Sequence, residues 1–469
     1  MNEAVPPQAS PARAAQAQAA QLQAAIEQDG LPQPRRAWAV AAVSLSIAIT
    51  VLDSSMLNVA LPGIARTLGI TPASATWLLN AYQLTVVTTL LPLASLGEKL
   101  GFRPVFLGGF ALFGLASLGS AMAPGFEALL VCRILQGLGS AAVMSLTAGM
   151  IRHIYPLKQL GRAIGINSMV VATAGASAPS LAAAILTVAP WQGLFAVHVP
   201  VSIIGILIGW RSLPDHPGTG RRFDWASAAL NIASFGLFFL GVDLVLHATV
   251  PALLLIGGGV GAGVLLVQRQ LSQPAPLLPL DLLRIRTIAF SVAASVCAFS
   301  AWYSSYVSLP FLLQSAGISQ GGTGLIMTPW PLGMAFGAPV AGRLADRIPT
   351  SLLCAAGMAA LAAGLAVVSG LPLLGNGLLV GGMMALCGAG FGTFSAPNNR
   401  TMLGSAPKAR AGSAGGMQAT ARLLGTTLGT TVVGLCFQLA GAGGARVALL
   451  AAIGFALAAG ALSLVRRRM

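Results

Sequence analysis

Two oppositely charged side chains interrupt long apolar stretches and are the first residues in this sequence that could do chemistry. They are Asp53 and Arg133. An ionisable side chain held in apolar surroundings is costly, so it is usually paired and often functional. A carboxylate that exchanges an arginine partner for a proton, or for a cationic substrate, could couple proton movement to cargo movement. The alternative is a permanent ion pair that only fixes the packing of two helices.

Five other polar side chains within apolar stretches are candidates for contact with a substrate: Asn58, Gln136, His198, Asn398 and Arg422. A lone histidine such as His198 is more often simply hydrogen-bonded. Arg422 has no acidic residue in its own half of the chain at a similar depth. It could rest on backbone carbonyls or on Asn398, or it could bind an anionic group of a substrate. No HExxH or GxSxG motif indicates an enzyme, and we predict neither a catalytic residue nor a metal site.

The composition indicates an integral membrane protein. Of the 469 residues, 56% are hydrophobic and 8% are charged, against roughly 25% charged in a typical soluble domain. The 57 glycines suit helices that approach one another closely within a lipid bilayer. The net charge of +15 is spread between the apolar runs, so it does not indicate nucleic-acid binding. The five cysteines include no CxxC pair, and their pattern suggests neither a disulfide framework nor a metal cluster.

Apolar runs long enough to cross the hydrocarbon core, about 20 residues each, predict an all-α membrane fold with fourteen transmembrane helices. Residues 1–36 would form a cytoplasmic tail without a cleavable signal peptide. Residues 37–214 would form one six-helix bundle, whose last helix would run over 193–213. Residues 271–469 would form a second bundle, whose second helix would run over 322–344. Residues 215–270 would form an inserted pair of helices, at 225–246 and 250–267, between the two bundles.

The basic residues support this count of helices. Cytoplasmic loops carry an excess of lysine and arginine. With the N-terminus in the cytoplasm, all but four of the 26 Lys and Arg residues fall on the cytoplasmic side. The exceptions are Arg66, Arg133, Arg422 and Arg446. Both termini are therefore predicted to be cytoplasmic.

The same topology sets the depth of the two charged side chains. Asp53 lies about fifteen residues into an outward-running helix, which raises it about 22 Å from the cytoplasmic edge. Arg133 lies about six residues into an inward-running helix, about 9 Å below the outer edge. In a hydrocarbon core of about 30 Å, the two residues are at a similar depth.

Two loops repeat one arrangement of charges. Residues 96–103 (LGEKLGFR) and 342–349 (GRLADRIP) each set an acid beside a base between two predicted helices. Two homologous halves separated by an inserted helix pair would produce this repeat. We interpret these side chains as a latch between two conformations, with solvated surface charge as the alternative: Glu98, Lys99, Arg103, Asp346 and Arg347.

Several segments resemble the fourteen-helix drug:proton antiporter branch of the major facilitator superfamily. Residues 52–62 (LDSSMLNVALP) are similar to the first-helix signature of that branch, and residues 133–139 (RILQGLG) match its RxxQGxG motif. Residues 191–200 resemble the start of its sixth helix. Residues 390–397 and 410–425 resemble parts of its twelfth and thirteenth helices. The resemblance covers nearly the whole chain after the tail, and it implies that the first and fourth helices are neighbours.

Some positions depart from the pattern of that branch. Ala94 replaces a glycine and Glu98 replaces an aspartate in the first charged loop. His198 stands where an asparagine is usual. Ala178 precedes Pro179 where the branch favours glycine, so the fifth-helix antiporter motif is incomplete.

The resemblance implies a proton-driven exporter of the bacterial inner membrane that works by alternating access. The cargo would be a lipophilic, cationic drug, with the proton gradient in place of a cofactor. A membrane-fusion protein and an outer-membrane channel are conceivable partners besides the lipid bilayer. Two alternatives stay open. One is a proton-coupled transporter of a specific metabolite, for which Arg422 suggests an anionic group. The other is a scaffold or lipid-handling protein without transport.

Overall fold

The computed structural model describes residues 30–156, 159–215, 218, 223–246, 248–271, 280–370, 376–406 and 411–467. Most of the predicted tail, residues 1–29, lies outside this part of the chain. Its long elements are helices, which we number in chain order: α1 (Arg35–Leu68), α2 (Pro72–Leu100), α3 (Phe102–Ala121), α4 (Phe126–Ile154), α5 (Leu160–Val188), α6 (Gln192–Ala196 and His198–Ser212), α7 (Trp225–Leu244), α8 (Thr249–Leu271), α9 (Arg286–Ser315), α10 (Gln320–Met327 and Pro329–Leu344), α11 (Thr350–Gly370), α12 (Gly377–Gly404), α13 (Ala411–Ala440) and α14 (Gly444–Arg466).

Local sequence signals explain where several helices begin and end. Thr71 caps α2 by accepting a hydrogen bond from the Ser74 backbone N–H, and Pro72 follows it at the first helical position. Ser319 caps α10 in the same way. Gly69 ends α1 in the left-handed conformation, with φ at 64°, which glycine adopts at little cost.

Prolines also interrupt two helices that the sequence predicted as continuous. A proline has no N–H to donate and its ring disturbs the preceding turn. α6 is broken at Val197, three residues before Pro200. α10 is broken at Thr328, immediately before Pro329, which leaves pieces of 8 and 16 residues.

Twelve helices in the described ranges are long and apolar enough to cross a membrane, by length and composition. The difference from the predicted fourteen has two sources. Neither piece of α10 is long enough alone, and residues Ala414–Arg466 form one helical stretch of 53 residues because a short 3-10 turn, Gly441–Gly443, joins α13 to α14. The fold is therefore an all-helical membrane bundle, and the number of crossings stays a prediction.

The pairing of the helices repeats along the chain. In the first half, α1 packs on α5 and α6, α2 packs on α4, and α3 packs on α4 and α6. The same pairs recur eight helices later, where α9 packs on α13 and α14, α10 on α12, and α11 on α12 and α14. The α7–α8 pair stands apart, since α7 contacts α2 and α13 while α8 packs mainly on α7.

The two halves, α1–α6 and α9–α14, are joined at one end of the bundle. We call the end where α1 begins and α14 ends the terminal side, and the opposite end the far side. Far-side residues of the first half, such as Leu61 and Leu78, share one apolar cluster with Leu313 and Phe437 of the second half. Terminal-side residues of the first half form a separate cluster, to which the second half contributes the adjacent residues Leu423 and Leu424. The halves are thus closed against each other on the far side.

Candidate functional site

Asp53 and Arg133 form an ion pair within the first half. The Arg133 Nη1 atom lies 2.7 Å from Asp53 Oδ2, and both side chains are almost fully buried. Arg133 Nε also donates to the Leu78 carbonyl at 3.0 Å. Its guanidinium lies over the Tyr82 ring, 4.4 Å from the centroid, where the aromatic face stabilises positive charge. Burial of the pair excludes water and makes each charge depend on the other.

Gln136 extends the pair into a network. Its Oε1 atom accepts from Arg133 Nη1 at 2.7 Å, and its Nε2 atom donates to Ser117 Oγ at 2.8 Å and to Asp53 Oδ1 at 3.4 Å. Residues three apart share one face of a helix, so α4 directs Arg133 and Gln136 to the same carboxylate.

The glycines of the same motif bring α4 close to its neighbours. A Cβ atom at Gly137 would lie 2.7 Å from the Tyr82 carbonyl oxygen of α2. A Cβ atom at Gly139 would lie 2.5 Å from the Gly109 carbonyl oxygen of α3. Such distances are too short for any side chain, so the RxxQGxG pattern both supplies the polar groups and allows the packing that encloses them.

His198 of α6 also lies beside Asp53. Its Nδ1 atom lies 3.5 Å from Asp53 Oδ1, and its ring lies 5.8 Å from that of Phe113. Neither ring nitrogen makes a hydrogen bond to a described residue, and the same is true of Arg133 Nη2. The site therefore has unused hydrogen-bonding capacity, so a proton or a polar group could be accommodated without removing a neighbour.

Tyr303 of α9 connects this site to the second half. Its hydroxyl accepts from Gln83 Nε2 at 2.8 Å and lies 3.1 Å from the hydroxyl of Ser54, the residue after Asp53. Arg422 of α13 lies within electrostatic range of the same tyrosine. It is partly exposed and makes no ion pair or hydrogen bond with the described residues.

Asn398 makes no hydrogen bond to Arg422, although the sequence had raised this contact as one possibility. It is fully buried, and its Nδ2 atom donates to Ser295 Oγ at 2.8 Å and to the Ser291 carbonyl at 3.1 Å. Its Oδ1 atom accepts from Arg466 Nη1 at 2.7 Å. Asn398 therefore lies in a network that ties the terminal-side ends of α9, α12 and α14.

Asn58 lies one turn beyond Ser54 on α1. It is fully buried, and its Nδ2 atom donates to the Ser54 carbonyl at 3.1 Å. Its Oδ1 atom has no hydrogen-bond donor among the described residues. Asn58 thus shares the face of α1 that carries Ser54, and it makes no hydrogen bond to Asp53.

The predicted latch residues pair differently from the side-by-side arrangement in the sequence. Arg103 pairs with Asp215, just beyond α6, and donates to the Trp210 carbonyl. Asp346 pairs with Arg400 of α12 at 2.7 Å, and both side chains are largely exposed. Both ion pairs join elements of one half. The latch role of Glu98, Lys99, Arg103, Asp346 and Arg347 stays a prediction.

A family model described as Major Facilitator Superfamily matches residues 43–430 and 291–468. The chain belongs to the Major Facilitator Superfamily. It is therefore a membrane transporter and not an enzyme, which sets aside the scaffold without transport that the sequence left open.

Curated relatives of this major facilitator protein include several bacterial transporters. It is 42% identical to "Uncharacterized transporter YebQ" of Escherichia coli (strain K12), covering 94% of this chain and 98% of that protein. It is 28% identical to "Riboflavin transporter RibZ" of Clostridioides difficile (strain 630), with coverage of 84% and 87%. It is 26% identical to "Multidrug resistance protein Stp" of Mycobacterium tuberculosis (strain CDC 1551 / Oshkosh), with coverage of 84% and 74%.

A solved structure shows the same fold. A bacterial homologue of the human lysosomal transporter Spinster, described as inward-facing and unoccupied, superposes with a TM-score of 0.67. The two chains are 17% identical, and the match covers 93% of this chain and 98% of the other.

The sequence of this transporter did not identify Tyr303, Gln83 and Ser54 as residues of the site. A signal was available for Tyr303, because residues 300–308 (SAWYSSYVS) form an unusually polar stretch within an apolar helix. What the sequence could not supply is the pairing of α9 with α1, which carries that tyrosine to the site.

Proposed function

We propose that this major facilitator protein is a proton-coupled exporter of lipophilic compounds and that Asp53 is its coupling carboxylate. The observation that carries the proposal is the buried Asp53–Arg133 pair, with His198 at 3.5 Å from the same carboxylate. Among the described residues, one arginine and neutral polar groups balance the negative charge of Asp53. A buried carboxylate in such surroundings can be neutralised by a proton instead. The proton gradient then supplies the energy, and no cofactor takes part.

Protonation of Asp53 would alter contacts in both halves. It would weaken the bond to Arg133 and free that guanidinium toward Gln136 and the aromatic rings. The change would reach α9 through Ser54 and Tyr303, whose hydroxyls lie 3.1 Å apart. A local change of charge can thereby shift the balance between two arrangements of the halves, which is the requirement for alternating access.

We further propose that the protein resides in a bacterial inner membrane with its terminal side toward the cytoplasm. The excess of lysine and arginine in the terminal-side loops supports this orientation. Closure of the halves on the far side then corresponds to a state that accepts substrate from the cytoplasm. A membrane-fusion protein and an outer-membrane channel would be the partners if the compound must also cross an outer membrane.

The proposed cargo is a lipophilic cation, and the multidrug-resistance relative supports the export of drugs. The test is a susceptibility panel in a host that lacks its own efflux pumps. Cells that express the protein should tolerate lipophilic cations better than cells that express Asp53→Asn at the same membrane level. Equal susceptibility across the panel in the two strains would count against drug export.

A second candidate, transport of a metabolite with an anionic group, is favoured by Arg422. This cation is partly exposed and unpaired among the described residues, whereas the Asp53 carboxylate is covered. Adding anionic compounds and the Arg422→Gln variant to the same panel separates the candidates. Loss of tolerance to anionic compounds alone in Arg422→Gln would support the second candidate and contradict a purely cationic cargo.

A further inference from the structure

A pocket of about 490 Å³ lies on the terminal side between the start of α1 and the end of α6. Residues of α1 and of the segment before it form one wall, and residues of α6 form the other: Pro34, Arg35, Trp38, Leu207, Ile208, Arg211 and Ser212. None of these residues belongs to the network around Asp53. The function proposed above therefore gives the pocket no role.

The pocket carries positive charge. Arg35 is held in place because its Nε and Nη2 atoms donate to the carbonyls of Ser212 and Leu213 at 3.0 and 3.1 Å. Arg211 is exposed and makes no hydrogen bond or ion pair with any residue in the described ranges. Among the described residues, no carboxylate lines the pocket. Two guanidinium groups around one opening favour an anion, and phosphate matches their geometry.

The surroundings of the pocket are those of a membrane interface. Trp38 is 57% exposed and Trp210 is 63% exposed, and exposed tryptophans concentrate at the level of lipid headgroups. From the pocket toward the middle of the bundle, α6 presents an exposed apolar strip made by Leu207, Ile204 and Ile203. A ligand that fits both features has an anionic head and an apolar chain.

We propose that this pocket binds the phosphate-containing headgroup of an anionic phospholipid. Arg211 and Arg35 face the headgroup, and an acyl chain lies along the strip of Leu207, Ile204 and Ile203. Basic pockets between transmembrane helices on the cytoplasmic side are suited to such headgroups. The site takes no part in proton coupling, although it rests on the proposed placement of the terminal side at the cytoplasmic face.

The test is a lipid titration of the purified protein in detergent, with the thermal unfolding midpoint as the readout. Phosphatidylglycerol should raise the midpoint in a saturable way, because a ligand that binds only the folded state stabilises it. Phosphatidylcholine with the same acyl chains should have little effect. Arg211→Gln should weaken the apparent affinity for phosphatidylglycerol about fivefold, as expected for one basic residue near a lipid headgroup.

Two controls make the result decisive. Arg343→Gln removes another exposed arginine from the last turn of a helix on the terminal side, and it should leave the titration unchanged. Glycerol phosphate carries the headgroup charge without acyl chains and should not raise the midpoint. The proposal is overturned if phosphatidylcholine acts equally, if Arg343→Gln weakens binding as much as Arg211→Gln, or if glycerol phosphate alone reproduces the effect.

Discussion

At the scale of single residues, Asp53 and the adjacent Ser54 of α1 contact side chains from three other helices. Asp53 lies close to Arg133 and Gln136 of α4 and to His198 of α6. Ser54 lies within hydrogen-bond distance of Tyr303 of α9. The charge on one carboxylate therefore bears on the packing of four helices. The similar depth of Asp53 and Arg133 was predictable from the topology, because their positions in the two helices set it. The approach of His198 and Tyr303 was not, because it depends on how helices pack laterally.

Removing Arg133 alone should lower the free energy of unfolding far more than removing both charges of the pair. Arg133→Ala leaves Asp53 buried without its cation, and breaking a buried ion pair in this way costs about 3–5 kcal/mol. The double variant Asp53→Asn/Arg133→Ala should recover much of that stability, because no unpaired charge remains. Thermal unfolding of the two purified variants in detergent measures the difference. A double variant no more stable than Arg133→Ala would mean that the loss comes from the missing side-chain volume and not from the charge.

At the scale of helices, the sequence predicted the apolar runs well and the breaks poorly. The limits of α7, predicted at 225–246 and observed at Trp225–Leu244, follow from its flanking polar residues. The sequence analysis did not predict the breaks at Val197 and Thr328, although Pro200 and Pro329 follow them closely in the sequence. Prolines are common within membrane helices, where neighbouring groups can satisfy the freed carbonyl, so a proline alone does not predict a break.

The packing of α4 gives a test at this scale. Gly139→Ala would bring a methyl group within 2.5 Å of the Gly109 carbonyl and within 2.7 Å of the Phe113 backbone nitrogen. Overpacking of this kind should destabilise the fold by about 1–3 kcal/mol. The matched control is Gly108→Ala on α3, where an added Cβ meets nothing within 4 Å. The yield of monodisperse protein and its unfolding midpoint should fall for Gly139→Ala alone; equal behaviour of the two variants would contradict the close α3–α4 contact.

At the scale of the whole molecule, the two halves meet on the far side. The hydrogen bonds that cross between them include Arg66 Nη2 to Gln314 Oε1 at 2.9 Å and the Ser180–Thr328 hydroxyl contact at 2.7 Å. The repeat of charged loops predicted two related halves, and the recurrence of helix pairs is the pattern such a repeat would produce. The sequence could not predict which side of the bundle is closed, because the same sequence adopts every conformation of an alternating cycle.

A crosslink across the far side should arrest the cycle. The Ser180–Thr328 contact is short enough that cysteines at both positions could form a disulfide after small adjustments. In Ser180→Cys/Thr328→Cys, oxidation should abolish substrate transport and reduction should restore it. The single variants Ser180→Cys and Thr328→Cys, which retain the native cysteines, serve as controls. Full transport by the oxidised and demonstrably crosslinked protein would show that the far side need not open.

The measurement that tests the account most directly is substrate accumulation in everted membrane vesicles under an imposed pH gradient. Asparagine keeps the size and much of the hydrogen bonding of Asp53 but cannot gain or lose the proton. Asp53→Asn should therefore lose gradient-driven accumulation while the protein stays folded in the membrane. The matched control is Asp243→Asn on α7, a carboxylate bonded to Gln438 outside the network, which should accumulate substrate normally. Undiminished gradient-driven accumulation by Asp53→Asn would contradict the account and exclude this carboxylate as the coupling site.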